Sequence, residues 1–202
     1  TNTFKCYAVP PQQWSESERE TFTFDVEQYA REHSLAFIPD FVLCRNEEEL
    51  LSKFINDIQD ADLLSGWNSE LFDIPYIVAR LKTVYGERGP NKLCFAGAGA
   101  PRMRTVEVFG NEEIAYELKG RSHVDYMDAF KKFTFEGRTS YSLANIAAEE
   151  LDIDKIDTGL SFEELYNKYF YKFCVYNARD VEILRDLDRK FRFIQLINQM
   201  AH

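Results

Sequence analysis

Ser65-Gly66-Trp67-Asn68-Ser69-Glu70-Leu71-Phe72-Asp73-Ile74-Pro75-Tyr76 is the stretch on which the fold turns. Ahead of its centre, Ala61 to Trp67 is apolar and short, as a buried strand requires. Behind it, Phe72 through Ile77, Val78 and Leu81 to Gly86 carries helical spacing. The stretch is therefore where one strand ends and the next helix begins. The same order precedes it: Phe37 to Cys44 reads as a strand, and Asn46-Glu47-Glu48-Glu49 as an N-cap with an acidic first turn. That turn opens a helix through Leu50, Leu51, Phe54 and Ile58. A β-α-β-α order predicts an α/β domain.

Towards the N-terminus, Thr3 to Val9 reads as a strand stopped by Pro10-Pro11, Gln12 to Glu20 as a polar loop, and Thr21 to Glu27 as a second short strand. Towards the C-terminus, Gly86 to Pro101 is rich in Gly, Ala and Pro and predicts a loop. Met103 to Phe109 and Glu113 to Leu118 alternate on either side of Gly110-Asn111, which predicts a β-hairpin. A strand is expected at His123 to Tyr126, and helices over Tyr141 to Leu151 and from Ser161, where Ser161 and Glu164 form a capping box. From about Tyr169 to Met200 the apolar positions Val181, Leu184, Leu187, Phe191 and Ile194 predict one long helix. No internal repeat, low-complexity tract or interdomain linker interrupts this order.

The composition of the 202 residues, 45% hydrophobic and 29% charged, is that of one globular domain with its own core. No apolar run approaches the roughly 20 residues that span a bilayer. Cys6, Cys44, Cys94 and Cys174 form no C-x-x-C pair, which points to a reducing, intracellular setting. The net charge of -10 argues against a protein held on duplex DNA or an anionic membrane by bulk electrostatics. Residues 1–60 hold 5 basic and 12 acidic side chains, whereas residues 79–138 hold 11 basic and 8 acidic, so a nucleic acid would approach the middle of the chain. A strand that begins almost at Thr1 and a helix still running near His202 predict one module of a longer protein.

Two places carry chemistry. Asp73 falls at the start of a helix after a buried strand, where a carboxylate faces the crevice of an α/β fold and suits a divalent cation. The same junction also suits plain helix capping by Asn68 and Asp73, with Pro75 in the first turn. In Tyr176-Asn177-Ala178-Arg179-Asp180, a spacing of four puts hydroxyl and carboxylate on one helix face.

Taken together, these stretches resemble the 3'→5' proofreading exonuclease domain of family B DNA polymerases. Asn68 to Asp73 matches the motif called Exo II (Asn-x-x-x-Phe-Asp), and Tyr176 to Asp180 matches Exo III (Tyr-x-x-x-Asp), with Asp73 and Asp180 107 residues apart. Phe109-Gly110-Asn111-Glu112-Glu113-Ile114, the segment Val124 to Phe133 and Ser140-Tyr141-Ser142-Leu143 are similar to the bacteriophage branch. The resemblance implies an RNase H-like α/β fold, a mixed sheet flanked by helices with an inserted β-hairpin. It implies two-metal hydrolysis of the terminal phosphodiester of a DNA primer, with two Mg2+ or Mn2+ ions. Asp73 and Asp180 would be metal ligands, Tyr176 would hold the attacking water, and Asn68 and Phe72 would line the cleft for the DNA end. The implied partners are a single-stranded 3' end and the polymerase domain of the same parent chain, with no membrane. The implied place is the cytoplasm, that of the host if the source is viral.

The family also carries Exo I, an Asp-x-Glu strand. The local match is Phe22-Thr23-Phe24-Asp25-Val26-Glu27, but it is followed by too few strands, and Phe4 to Val9 resembles the strand that normally follows Exo I. Residues 1–202 are therefore expected to be an exonuclease domain truncated before Exo I, feeble or inactive alone, with Asp25 and Glu27 in a solvent-facing insertion. Palm motifs of the Ser-Leu-Tyr-Pro and Asp-Thr-Asp type do not occur, so no polymerase domain is expected. Alternatives are a non-catalytic DNA-binding or scaffold module of the same fold, and a free-standing exonuclease of the Asp-Glu-Asp-Asp class. Asp125 and Asp128 are expected to cap the next helix or border the cleft, Gly97 to Ala100 to be a loop, and Lys131 and Lys132 to lie on a solvated face or touch a phosphate backbone.

Overall fold

The computed structural model describes residues 4–108, 110–153, 156 and 158–201. Thr1, Thr3, Phe109 and His202, which figure in the expectations above, lie outside the described residues. The elements are β1 (Lys5–Ala8), α1 (Glu16–Glu32), β2 (Asp40–Leu43), α2 (Glu47–Asp57), β3 (Leu63–Gly66) and α3 (Asp73–Tyr85), then β4 (Arg102–Val108), β5 (Asn111–Glu117) and β6 (Ser122–Asp125). Five helices complete the chain: α4 (Tyr126–Phe133), α5 (Leu143–Leu151), α6 (Phe162–Lys168), α7 (Phe170–Phe191) and α8 (Phe193–Ala201). None of the described helices is long and apolar enough to cross a membrane. The order is that of a mixed α/β protein. Among the described residues its strands pair two by two: β1 with β2 and β3 with β6 in parallel, β4 with β5 antiparallel.

The chain divides into two compact units, Thr1–Leu50 with Ser140–Lys190, and Leu51–Thr139 with Phe191–His202. In the first, β1 and β2 run in register from Lys5 opposite Asp40 to Ala8 opposite Leu43. Its core joins Phe22, Val26 and Ala30 to Ile156, Phe170, Cys174 and Val175. Phe22 stacks on Phe170 at 5.8 Å, and Trp14 meets both rings edge-on.

Several expectations fail along the chain. The expected loop over Gln12–Glu20 and strand over Thr21–Glu27 are together mostly one helix, α1. The cause is local at its start, where Ser15 and Glu18 form a reciprocal capping box. It is tertiary along its length: Phe22, Val26 and Ala30 recur every four residues and are buried, whereas Phe24, which a strand would place beside Phe22, is 68% exposed. Asp25 and Glu27 are half-buried on this core-forming helix and belong to no solvent-facing insertion. Further on, the expected single helix from Tyr169 to Met200 is interrupted at Arg192, whose φ of +57° breaks the helical ladder between α7 and α8.

In the second unit, Leu63 of β3 lies opposite Ser122 of β6 and Gly66 opposite Asp125. β3 is half-buried along its length, not fully buried as its apolar run suggested. Strands β4 and β5 pair from Arg102 opposite Glu117 to Val108 opposite Asn111. The expected loop after α3 contains a short 3-10 turn, Gly89–Leu93, whose Pro90 and Leu93 are buried. Tyr126 and Phe130 of α4, both fully buried, anchor the core, with Phe193 5.7 Å from Tyr126 and Phe191 edge-on to Phe130 at 5.4 Å.

Candidate active site

The strand-to-helix junction after β3 is built by a close approach that only glycine allows. A Cβ on Gly66 would lie 2.6 Å from the Cβ of Ser69, so the chain can fold back directly after the strand. Asn68 takes up the turn with a left-handed φ of +57°, a conformation that asparagine tolerates better than most residues. The backbone carbonyl of Asn68 accepts from Phe72 at 3.1 Å and that of Ser69 from Ile74 at 2.9 Å, which starts α3. Phe72 is the N-cap residue and makes no side-chain capping bond. Asp73 is the first residue of the helix, and its carboxylate accepts its own backbone N–H.

Asp125, at the end of β6, holds this turn in place. One carboxylate oxygen accepts the N–H of Asn68 at 3.1 Å and the other that of Glu70 at 2.9 Å. The first oxygen also accepts Met127 N–H at 3.0 Å and Asp128 N–H at 3.4 Å, which caps α4. The expectation that Asp125 caps the next helix is met; its second duty, bracing the Asn68 turn, became visible only in the fold. Asp125 is 7% exposed, and four N–H donors make that burial tolerable.

Several charges converge on the same junction. Partial desolvation raises the pKa of Asp73; nearby Asp125 raises it further, while its own backbone N–H and His123 oppose the shift. Burial lowers the pKa of His123 against the pull of Asp125 and Asp73, and its Nε2 lies 2.9 Å from Ser69 Oγ. Burial also raises the pKa of Glu70, which is ion-paired with Arg104 of β4. Phe72, 69% exposed, and Tyr76, 63% exposed, stand one turn apart beside Asp73. Asn68, Phe72 and Asp73 are thus brought together.

Tyr176 and Asp180 lie on α7 in the other unit, both half-buried and one turn apart. Tyr176 packs edge-on against Phe162 at 5.8 Å. Next to them, buried Arg179 donates to Glu182 at 2.8 Å, and Glu182 also accepts the Ala36 N–H at 2.7 Å.

Asp73 and Asp180 offer the hard oxygen donors that a divalent cation prefers, so the donor chemistry fits in kind. It falls short in number. Among the described residues no group of three or more His, Cys, Asp or Glu side chains is placed to hold a metal ion. Asp25 and Glu27 do not make up the difference: on α1 their side chains point about 200° apart, and Glu27 is paired with Arg31 at 2.7 Å.

Residues 6–146 match the family described as DNA polymerase family B, exonuclease domain. The chain is 35% identical over 160 residues to the DNA-directed DNA polymerase of Escherichia phage RB69 and 32% identical over 160 residues to that of Enterobacteria phage T4. Each alignment covers 78% of this chain, which spans 17–18% of the length of those phage polymerases. The DNA polymerase delta catalytic subunit of Dictyostelium discoideum is 29% identical over 58% of this chain and 11% of its own length. A glycine-dependent turn carrying Asn68, Phe72 and Asp73, the Tyr176–Asp180 helix face and the match over residues 6–146 converge, and the chain belongs to the exonuclease domain family of the family B DNA polymerases, in its bacteriophage-like branch.

Proposed function

We propose that residues 1–202 form the 3'→5' proofreading exonuclease module of a family B DNA polymerase, RNase H-like in fold, with β4–β5 as its inserted hairpin. The observation that carries the reading is the junction after β3, where Asn68, Phe72 and Asp73 of the matched motif stand at the C-terminal end of a parallel strand. Asp73 and Asp180 would hold divalent ions, Mg2+ or Mn2+. When bound, such ions polarise the scissile phosphate and lower the pKa of an attacking water. Phe72 presents an open ring to the terminal base, a contact worth about 1–3 kcal/mol that tolerates any sequence. Asn68 lines the same cleft, and the Tyr176 hydroxyl orients the water. A frayed 3' end enters such a cleft more readily than a paired one, as editing requires.

The remaining carboxylates come from an Asp-x-Glu strand other than Asp25 and Glu27. Polymerisation belongs to a further domain of the same parent chain, and the setting is the cytoplasm of a host cell. The test is release of mononucleotides from 3'-labelled single-stranded DNA with magnesium, by residues 1–202 alone and joined to an upstream Asp-x-Glu strand. Activity in the joined protein that is lost in Asp73→Ala and Asp180→Ala, and kept in Asp25→Ala, supports the reading. DNA binding with no hydrolysis in either form would leave a non-catalytic DNA-holding module instead.

A further inference from the structure

Two of the four free cysteines meet inside the first unit, where the exonuclease motifs use neither. Cys6 lies in β1, half-buried and opposite Phe41 of β2. Side chains alternate along a strand, so Cys6 shares a face with Ala8. Ala8 packs in the same core as Cys174 of α7, which is 1% exposed. Just beyond β1, the Val9 carbonyl accepts the Tyr166 hydroxyl of α6 at 3.1 Å, which fixes the strand against the helices. The two thiols are thereby in hydrogen-bonding contact across 168 residues of chain, Cys174 donating to Cys6. That bond holds the Cys6 thiol below its ordinary range against the pull of burial, and the same bond with burial pushes Cys174 up. The other two cysteines are buried apart from this pair: Cys44 donates to the Val42 carbonyl at 3.6 Å, and Cys94 accepts the Lys119 N–H at 3.2 Å.

A buried cysteine by itself packs as a small apolar group and stays inert. A half-buried thiol touching a fully buried one has the layout of an attacking cysteine beside a resolving cysteine. We propose that Cys6 and Cys174 form a modification site, a dithiol that hydrogen peroxide or a related hydroperoxide closes into a disulfide between β1 and α7. The Cys6 sulfur attacks one peroxide oxygen, so that an S–O bond forms and the O–O bond breaks. Cys6, oxidised by two electrons, becomes a sulfenic acid, and the departing oxygen leaves as water with the thiol proton. The Cys174 sulfur then attacks that of Cys6; the S–S bond forms, the S–O bond breaks, and the hydroxyl leaves as a second water with the Cys174 proton. Two thiols and one peroxide give one disulfide and two waters. The site does not rest on the nuclease reading, although the bond fastens the helix that carries Tyr176 and Asp180.

The experiment is peroxide treatment of the reduced, folded 202-residue chain at neutral pH, followed by alkylation of the remaining thiols and mass-spectrometric mapping of the peptides. Two of the four thiols are expected to disappear together into one intramolecular Cys6–Cys174 link that dithiothreitol reverses. Cys6 should react roughly tenfold or more faster than Cys44 and Cys94. Cys174→Ala, a small apolar replacement suited to the core, should stop the reaction at a Cys6 sulfenic acid that dimedone traps. Cys6→Ser, at the half-buried position, should leave Cys174 open to alkylation after unfolding and keeps the test decisive even if Cys174→Ala fails to fold. Cys6 and Cys174 both still alkylated after peroxide, a link through Cys44, Cys94 or a second chain, or Cys6 oxidised no faster than Cys44 and Cys94 overturns the proposal.

Discussion

One carboxylate oxygen of Asp125 accepts the backbone N–H of Asn68 at 3.1 Å, across 57 residues of chain. The contact exists because Gly66 and Asp125 are partners in the parallel register of β3 and β6, so the residue that caps α4 also faces the turn leading to Asp73. Helix start and site turn share one acceptor.

Removing that acceptor strands four N–H donors at once. Asp125→Ala is expected to cost about 2–4 kcal/mol, a lost cap plus charge-assisted bonds, read as a lower urea midpoint. Asp125→Asn, which keeps one acceptor oxygen, should lose less. Equal losses would mean that the oxygen asparagine retains does not brace the turn or cap the helix.

Glycine substitutions should separate close approach from mere absence of a side chain. A Cβ on Gly89 would run into the backbone carbonyl of Leu81 in α3, which cannot swing away as a side-chain tip can. Gly89→Ala is expected to cost about 1–3 kcal/mol or more. At Gly137 nothing lies within 4 Å and φ is not positive, so Gly137→Ala should be neutral or slightly stabilising. Thermal melts of the two variants decide it.

Glu182 is 1% exposed and anchors both Arg179 and the Ala36 N–H. Glu182→Ala leaves a buried guanidinium and a backbone donor unmatched, and about 3–5 kcal/mol of stability should go with it. Glu182→Gln retains an acceptor and should cost less in the same denaturation experiment. Because Arg179 precedes Asp180, the alanine variant is also expected to disturb the Tyr176–Asp180 face.

Two helix starts should respond to acid. Hydrogen bonds from Ser15 and Ser161 hold the Glu18 and Glu164 carboxyls below the usual range. Folded values below unfolded ones stabilise α1 and α6 above the ordinary glutamate pKa, and that contribution fades as pH falls through the lowered values. Circular dichroism between neutral pH and pH ~3 should show helix loss that is smaller in Ser15→Ala and Ser161→Ala, where the lowering is absent from the start. An identical acid profile in the wild type and both variants would assign the loss to other carboxylates.

Much of the fold was legible because its signals are local. The strand Phe37–Cys44 contains β2, the acidic turn after Asn46 opens α2, the capping box at Ser161 opens α6, and Asn46 Oδ1 accepts Glu49 N–H at 2.9 Å. The helix Glu16–Glu32 departs from the expected loop over Gln12–Glu20 and strand over Thr21–Glu27 for a physical reason. Phe22, Phe24 and Val26 alternate as a strand would, while Phe22, Val26 and Ala30 repeat as a helix does. Only the partners at Phe170, Cys174 and Val175 decide between the two periods, and the Ser15-x-x-Glu18 box was the signal available to find the helix start.

By itself, the sequence determined the α/β order, the motif residues Asn68, Phe72, Asp73, Tyr176 and Asp180, and the family to which they point. Each element and each motif is carried by residues within a few positions of one another, where spacing alone sets geometry. The tertiary structure decided that Asp125 braces the Asn68 turn, that Arg179 and Glu182 are buried together, and that Arg121 is left with unmatched donors beside the hairpin. Those facts depend on strand register and burial, which join residues far apart in the chain and set whether a charge meets water or a partner.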